Sequence, residues 1–193
     1  MEGSVKLRKL FFLILLACAF YAPIYSQGLN PDIMAMGDNA WRKMNPSPEP
    51  DGRNYSGCTL GDGYVFYFGG GHNSYQERDV ELYDIAANTW RKHLDSNAPS
   101  EGAGAPPHTY QQVCWLPEQK VFFMVNLGSG TTQFDPATKK WSTLVSKDAS
   151  PVTPYAWQTI HTIYSPELKA PIAILSSSPG GVHIYNTANK TWS

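Results

Sequence analysis

The sequence predicts an all-β fold made of about three copies of one four-stranded antiparallel unit, the architecture of a β-propeller. The segment Tyr83–Trp90 (YDIAANTW) returns as Phe134–Trp141 (FDPATKKW) and again as Tyr185–Trp192 (YNTANKTW), 51 residues apart in both intervals. A constant period near 50 residues marks a propeller or array. An apolar run precedes each copy: Val65–Phe68, Val121–Met124 and Ile172–Leu175. The composition agrees, since 13% aromatic residues with 16 Gly and 15 Pro suit a turn-rich β domain.

Each repeat reads as four strands. The first covers about Tyr55–Leu60, Tyr64–Phe68, Val80–Tyr83 and Thr89–His93. The second covers about Tyr110–Leu116, Lys120–Val125, Thr131–Phe134 and Lys140–Leu144. The third covers about Trp157–Tyr164, Pro171–Ser176, Val182–Tyr185 and Thr191 onward. The runs Val65–Phe68 and Val121–Val125 hardly alternate, as in strands covered on both faces. Val80-Glu81-Leu82-Tyr83 does alternate, so Val80 and Leu82 share one face. Asp84, Asp135-Pro136 and Asn186 supply the turns between third and fourth strands.

A double glycine (Gly69-Gly70) after the apolar run, followed by Tyr83 and Trp90 seven positions apart, resembles the blade motif of the kelch-repeat propellers, to which galactose oxidase also belongs. The later copies keep Phe134 with Trp141 and Tyr185 with Trp192, but carry Val125-Asn126 and Ser176-Ser177 in the glycine slot. The resemblance covers roughly Asn54 to the end and implies blades at about 54–93, 108–144 and 155–193. It implies part of a larger ring, because propellers close with four to eight blades. The missing blades would come from a continuation of the chain or from a partner.

The first 26 residues read as a secretory leader. Lys6, Arg8 and Lys9 precede the apolar run Leu10–Leu16, and small residues follow. The run is too short for a transmembrane span. The implied location is secreted, periplasmic or extracellular; Leu15-Leu16-Ala17-Cys18 also resembles a lipobox, which would anchor the protein through Cys18. Residues 27–53 then hold a partial echo, Asp38–Lys43 around Trp41, read as a closing strand, followed by a Pro-rich connector.

A net charge of −1 argues against nucleic acid, which needs a concentrated basic face. Cys58 and Cys114 each lie seven residues before an apolar strand, which places them alike in neighbouring blades, buried and unbridged. Stacked sheets lie about 10 Å apart, whereas a disulfide needs Cα atoms within about 7 Å.

Antiparallel alternation sorts the connections into two ends. The long ones (Gly69–Asp79, Asp95–His108, Ser146–Tyr155) share an end, and long loops on a rigid scaffold carry binding residues. The candidates there are His72, Asn73, Tyr75, Arg78, His108, Tyr110, Tyr155 and Trp157, with Glu77, Arg53 and Asn54 nearby. Aromatic planes beside amide, imidazole and guanidinium groups suit a sugar or a peptide.

The expected function is an exported binding module for protein or carbohydrate ligands. A sugar-processing kelch-type enzyme (mutarotase-like or galactose oxidase-like) and a purely structural surface domain are the alternatives. No nucleophile, phosphate-binding or metal-ligand motif is present, and neither a cofactor nor a catalytic residue is assigned.

Overall fold

The structure, a computed structural model, describes residues 30–71, 75–100, 104–126, 128–150, 152, 160–176 and 180–193. The leader and Cys18 lie outside the described residues. The chain divides into two compact units, Met1–Ala40 and Trp41–Ser193. In the first, a single helical turn, α1 (Pro31–Met34), starts at Asn30, whose side chain accepts from the Asp32 N–H. Pro31 occupies the first helical position, where a missing N–H costs nothing.

The second unit holds three four-stranded antiparallel meanders and no helix among its described residues. The first sheet is β1 (Gly57–Gly61), β2 (Tyr64–Phe68), β3 (Val80–Asp84) and β4 (Thr89–His93). The second is β5 (Val113–Leu116), β6 (Val121–Asn126), β7 (Gly130–Asp135) and β8 (Lys140–Val145). The third is β9 (Ile160–Ser165), β10 (Ala170–Leu175), β11 (Gly181–Asn186) and β12 (Thr191–Trp192). No helix among the described residues is long and apolar enough to cross a membrane.

Local chemistry sets the turns. Asp62 and Gly63, both with positive φ, form the two-residue hairpin between β1 and β2, as Asp-Gly favours. At the third-to-fourth connections the expected side chains close the turn. Asp84 Oδ1 accepts from the Ala87 N–H, Asp135 Oδ1 from Ala137 and Asn186 Oδ1 from Ala188, at 2.8–3.0 Å. The residue entering each fourth strand, Asn88, Lys139 or Lys190, is left-handed.

The repeated aromatic pair lands in register in all three sheets. Tyr83 faces Trp90 across the ladder, Phe134 faces Trp141 and Tyr185 faces Trp192, with ring centroids 5.1–5.4 Å apart. These pairs define a rear face on each sheet, turned toward the sheet before it. The rear face of the second sheet (Phe122, Met124, Phe134, Trp141) packs on the forward face of the first (Phe66, Phe68, Val80, Leu82). The rear face of the third (Ala173, Tyr185, Trp192) packs on the forward face of the second (Leu116, Phe123, Val125). The sheets approach along their first strands, β1 beside β5 and β5 beside β9.

Several expectations are corrected by this register. β6 is buried along its whole length, whereas β2 and β10 each have one buried and one partly exposed face, with a neighbouring sheet on one side only among the described residues. Tyr83, Phe134 and Tyr185 align Val65 with Phe122 and Pro171, one residue after and one residue before the positions given by the sequence alignment. The glycine position Gly69 therefore corresponds to Asn126 and Leu175. Cys58 faces Tyr67 and Cys114 faces Phe123, on opposite faces of their sheets. Each pairs with the residue two after its valine, but Val65 lies opposite Tyr83 whereas Phe122, not Val121, lies opposite Phe134, so the two valines used for the alignment are themselves one residue out of step. A shift of one turns a side chain over. Cys58 is accordingly exposed and only Cys114 is buried; both are free thiols. The Asp38–Lys43 echo forms no strand, and Trp41 is fully exposed. It lacks the aromatic partner and hairpin that give Trp90, Trp141 and Trp192 their ladders.

Polar latches tie adjacent sheets at their edges. Asp95, just after β4, accepts the Trp141 N–H on β8 at 2.8 Å and lies 3.4 Å from Lys140 Nζ, with its side chain fully buried. The bond from the Trp141 amide holds the Asp95 carboxyl below its ordinary value of 3.8. A carboxyl whose folded-state value is depressed stabilises above its unfolded value and loses that contribution as pH falls through the folded one. Asp95→Ala is expected to cost about 1.5–3 kcal/mol near neutral pH, the range for hydrogen bonds to a charged group. Urea unfolding at pH 7 and pH 3 checks this: the gap between parent and variant should narrow at the lower pH.

Candidate functional site

The long-connection end of the first two sheets is built on two buried polar networks. The first is centred on Arg53, which enters just ahead of β1 with its side chain fully buried. Its guanidinium donates to the Glu81 carboxylate at 3.1 Å, the Asp79 carboxylate at 3.1 Å, and the carbonyls of Asp79 and Gly69 at 3.2 and 3.0 Å. The Tyr75 ring stacks over it at 4.0 Å. Gly69 and Asp79 are the two ends of the β2–β3 loop, so one side chain fastens both.

The cluster continues outward. The Tyr75 hydroxyl donates to the Asp79 carboxylate, and burial first, then this bond, raises the Tyr75 value. Lys92 pairs with Asp51; the contact lowers the Asp51 value and raises that of Lys92, in agreement. Asp51, Asp79 and Glu81 bring three carboxylates within 4.8 Å of one another, the spacing of a cation site. Arg53 and Lys92 are the cations they meet, which makes this an ion-pair cluster. Arg53, expected among the ligand-facing residues, is spent on the fold.

The second network sits where the two sheets meet. The Thr109 hydroxyl accepts from the Gly57 N–H at 2.5 Å and donates to the Phe68 carbonyl at 2.7 Å, while the Thr109 N–H donates to the Tyr55 carbonyl. Asn126 Nδ2 donates to the His108 carbonyl and to Gln112 Oε1, at 2.9 and 3.0 Å. Thr109, Gln112 and Asn126 are all fully buried. The glycine block fits against them. Gly69 and Gly70 have positive φ, and a Cβ at Gly69 would meet Thr109 Oγ1 at 2.5 Å and the Pro107 carbonyl at 2.7 Å.

Over this base lies an aromatic cluster. Tyr55 meets His108 and Tyr110 edge to face, with centroids at 5.3 and 5.6 Å, and His108 lies nearly parallel to Tyr110 at 6.1 Å. Tyr55 is 42% exposed, Tyr110 half-buried and His108 buried. Both tyrosines have left-handed backbone, φ +57° at Tyr55 and +35° at Tyr110. Such geometry is an outlier for a bulky residue and costs of order 1–3 kcal/mol each. Nearby, Arg78 donates to the Ala98 carbonyl at 2.8 Å, tying the β2–β3 loop to the β4–β5 loop.

Of the residues expected from the sequence, His108 and Tyr110 come together, Tyr75 lies in the Arg53 cluster, and Arg78 bridges the two loops. His72, Asn73, Tyr155 and Trp157 lie outside the described residues. Sequence reading missed Tyr55, placed in a strand, and the supporting Thr109, Gln112 and Asn126. Asn126 in the glycine slot was the available signal, since a carboxamide there needs partners.

A cleft of about 380 Å³ opens elsewhere, beside the first strands, between Leu60, Trp115 and Ile163. It contains none of the expected residues. Its Cys114 thiol is pushed up to about 12 by burial, so it is no nucleophile at neutral pH.

No protein-family model and no curated protein matches this chain.

Proposed function

We propose that the protein is an exported kelch-type β-propeller that binds a protein or carbohydrate ligand at the long-connection end. The observation that carries this reading is the Tyr55–His108–Tyr110 cluster, two strained aromatic residues held on a fully bonded polar base. Strain of this kind persists only where surrounding structure over-determines it, and such positions gather at ligand sites. Exposed aromatic faces offer large contact area to a sugar ring or a peptide side chain at little entropic cost. The kelch assignment is supported by the in-register Trp pairs and by the fan of first strands. Further blades would come from chain continuation or a partner. Export rests on the charged, apolar and small-residue pattern of the first 26 residues, with an anchor through Cys18 as its lipidated form. Trp157, Tyr155, His72 and Asn73 belong to the proposed site by their sequence position.

Screening on a glycan array and a peptide library, followed by calorimetry with the best binder, tests the proposal. Tyr110→Ala and Arg78→Ala should each weaken binding about fivefold or more, the effect of losing a contact worth about 1 kcal/mol. Unchanged affinity in both variants removes the ligand from this end of the sheets. Product formed from a sugar in the same assays would instead favour a sugar-processing enzyme.

A further inference from the structure

The three repeats treat the aromatic residue of the third strand differently, and one of them leaves a buried hydroxyl unmatched. In the first sheet the Tyr83 hydroxyl donates to Asn88 Oδ1, five residues on, at 2.6 Å. In the second the matching residue is Phe134, 0% exposed, so the place between two sheets is filled without a hydroxyl. In the third it is Tyr185, 1% exposed, and its hydroxyl meets no hydrogen-bond partner among the described residues. The residue five on is Lys190, where Asn88 stands in the first sheet. An acceptor is exchanged for a cation, so two donors stand where the first sheet has a bonded pair. A buried hydroxyl without a partner weakens the fold unless something supplies one.

Tyr185 and Lys190 line one recess of about 200 Å³. Every lining residue belongs to the second or third sheet, which already pack on one another. The recess lies at the short-connection end, opposite the Tyr55–Tyr110 platform, with Gln119 in the β5–β6 turn and Lys190 in the β11–β12 turn. Leu116 and Leu144 are its apolar walls, and Gln119 and Gln133 add two carboxamides. Leu116 and Tyr185 are buried, whereas Gln119 and Lys190 are exposed, so the recess has a closed floor and an open mouth. Its volume exceeds that of a single water, about 30 Å³ in the liquid. Among the described residues no carboxylate belongs to the lining, and Lys190 is its one charge. Burial pushes the Tyr185 hydroxyl up to about 12, which keeps it protonated and a donor at neutral pH.

We propose that this recess binds a small organic carboxylate. Lys190 and the Tyr185 hydroxyl donate to its oxygens, the Gln119 and Gln133 carboxamides lie beside them, and Leu116 and Leu144 enclose its carbon body. One cation answers one negative charge, and a carboxylate has acceptor sites enough for both donors. Leucine walls select a molecule with an apolar part, which inorganic phosphate lacks. The site is separate from the proposed ligand platform and does not depend on it.

The test is an NMR titration of the isotope-labelled protein with butyrate to about 50 mM, which covers millimolar affinity. The side-chain amide signals of Gln119 and Gln133 report on the recess, and they should shift and saturate. Butyramide, the neutral analogue, and inorganic phosphate should each bind about tenfold more weakly or not at all. Lys190→Met and Tyr185→Phe should each weaken butyrate about fivefold or more. Phe134 shows that a phenylalanine packs at this place, and without butyrate Tyr185→Phe should melt no lower than the parent, since no bond is lost. Signals unmoved by butyrate overturn the proposal, as does equal binding of butyramide or phosphate. Unchanged affinity in Tyr185→Phe would mean that the hydroxyl meets only water. A lower melting temperature of that variant without butyrate would mean that the hydroxyl is bonded within the fold. Either result overturns the proposal, and neither bears on the platform, whose ligand is read separately by calorimetry.

Discussion

Trp141→Ala is expected to lower stability by about 3–5 kcal/mol, the cost of removing a large aromatic from a packed core. Trp141 is 4% exposed, and its ring touches Phe66 and Phe68 of one sheet and Phe134 of its own. Truncation opens a void in the apolar layer between the two sheets. For a chain of this size the loss translates into roughly 2–4 °C per kcal/mol, so the melting temperature should fall by about 6–20 °C. Trp90→Ala is the contrast. Its ring leans on Tyr67 and Tyr83 within one sheet and is half-buried, so its effect should be clearly smaller. Equal losses in the two variants would mean that the sheets are not held by the repeated tryptophan.

Arg53→Ala is expected to be at least as damaging near neutral pH. It leaves the Glu81 carboxylate, 0% exposed, and the buried Asp79 without their cation. Removing one partner of a buried pair costs about 3–5 kcal/mol, while replacing both by apolar residues is often neutral. The double variant Arg53→Met with Glu81→Leu should therefore recover much of the stability lost by Arg53→Ala. Chemical unfolding of the parent, single and double variants at pH 7 measures this. A double variant no more stable than Arg53→Ala would show that Glu81 is not the group left without its partner.

Strand positions were legible because two local signals coincide in every repeat. An apolar run ends at a turn, and Asp84, Asp135 or Asn186 closes that turn by bonding its own backbone. Both signals act within a few residues, so a linear reading finds them. The facing of Cys58 was not legible, because aligning the apolar runs matches Val65 with Val121, whereas the cross-strand partners Tyr83 and Phe134 match Val65 with Phe122. The burial of Glu81 was also hidden. An alternating strand places its carboxylate on a solvent face, and only Arg53, 28 residues earlier, turns that position inward. The candidate site was half visible. Loop length pointed to the end at which His108 and Tyr110 cluster. Tyr55 joins them through a left-handed backbone that no residue-type preference would assign to a tyrosine. Arg53, read as a ligand contact, proved to be the fastening of the loop.

The complete burial of β6, with a sheet against each of its faces, bears on how the chain acquires its structure. Every sheet is a meander of neighbours in sequence, so each can begin from hairpins without first closing a long loop, and low sequence separation favours rapid folding. In a stacked array, stability is shared between units and the junctions between them. Among the described sheets the middle one takes part in both junctions, and the Tyr55–Tyr110 platform, straddling a junction, persists only while its two sheets remain docked.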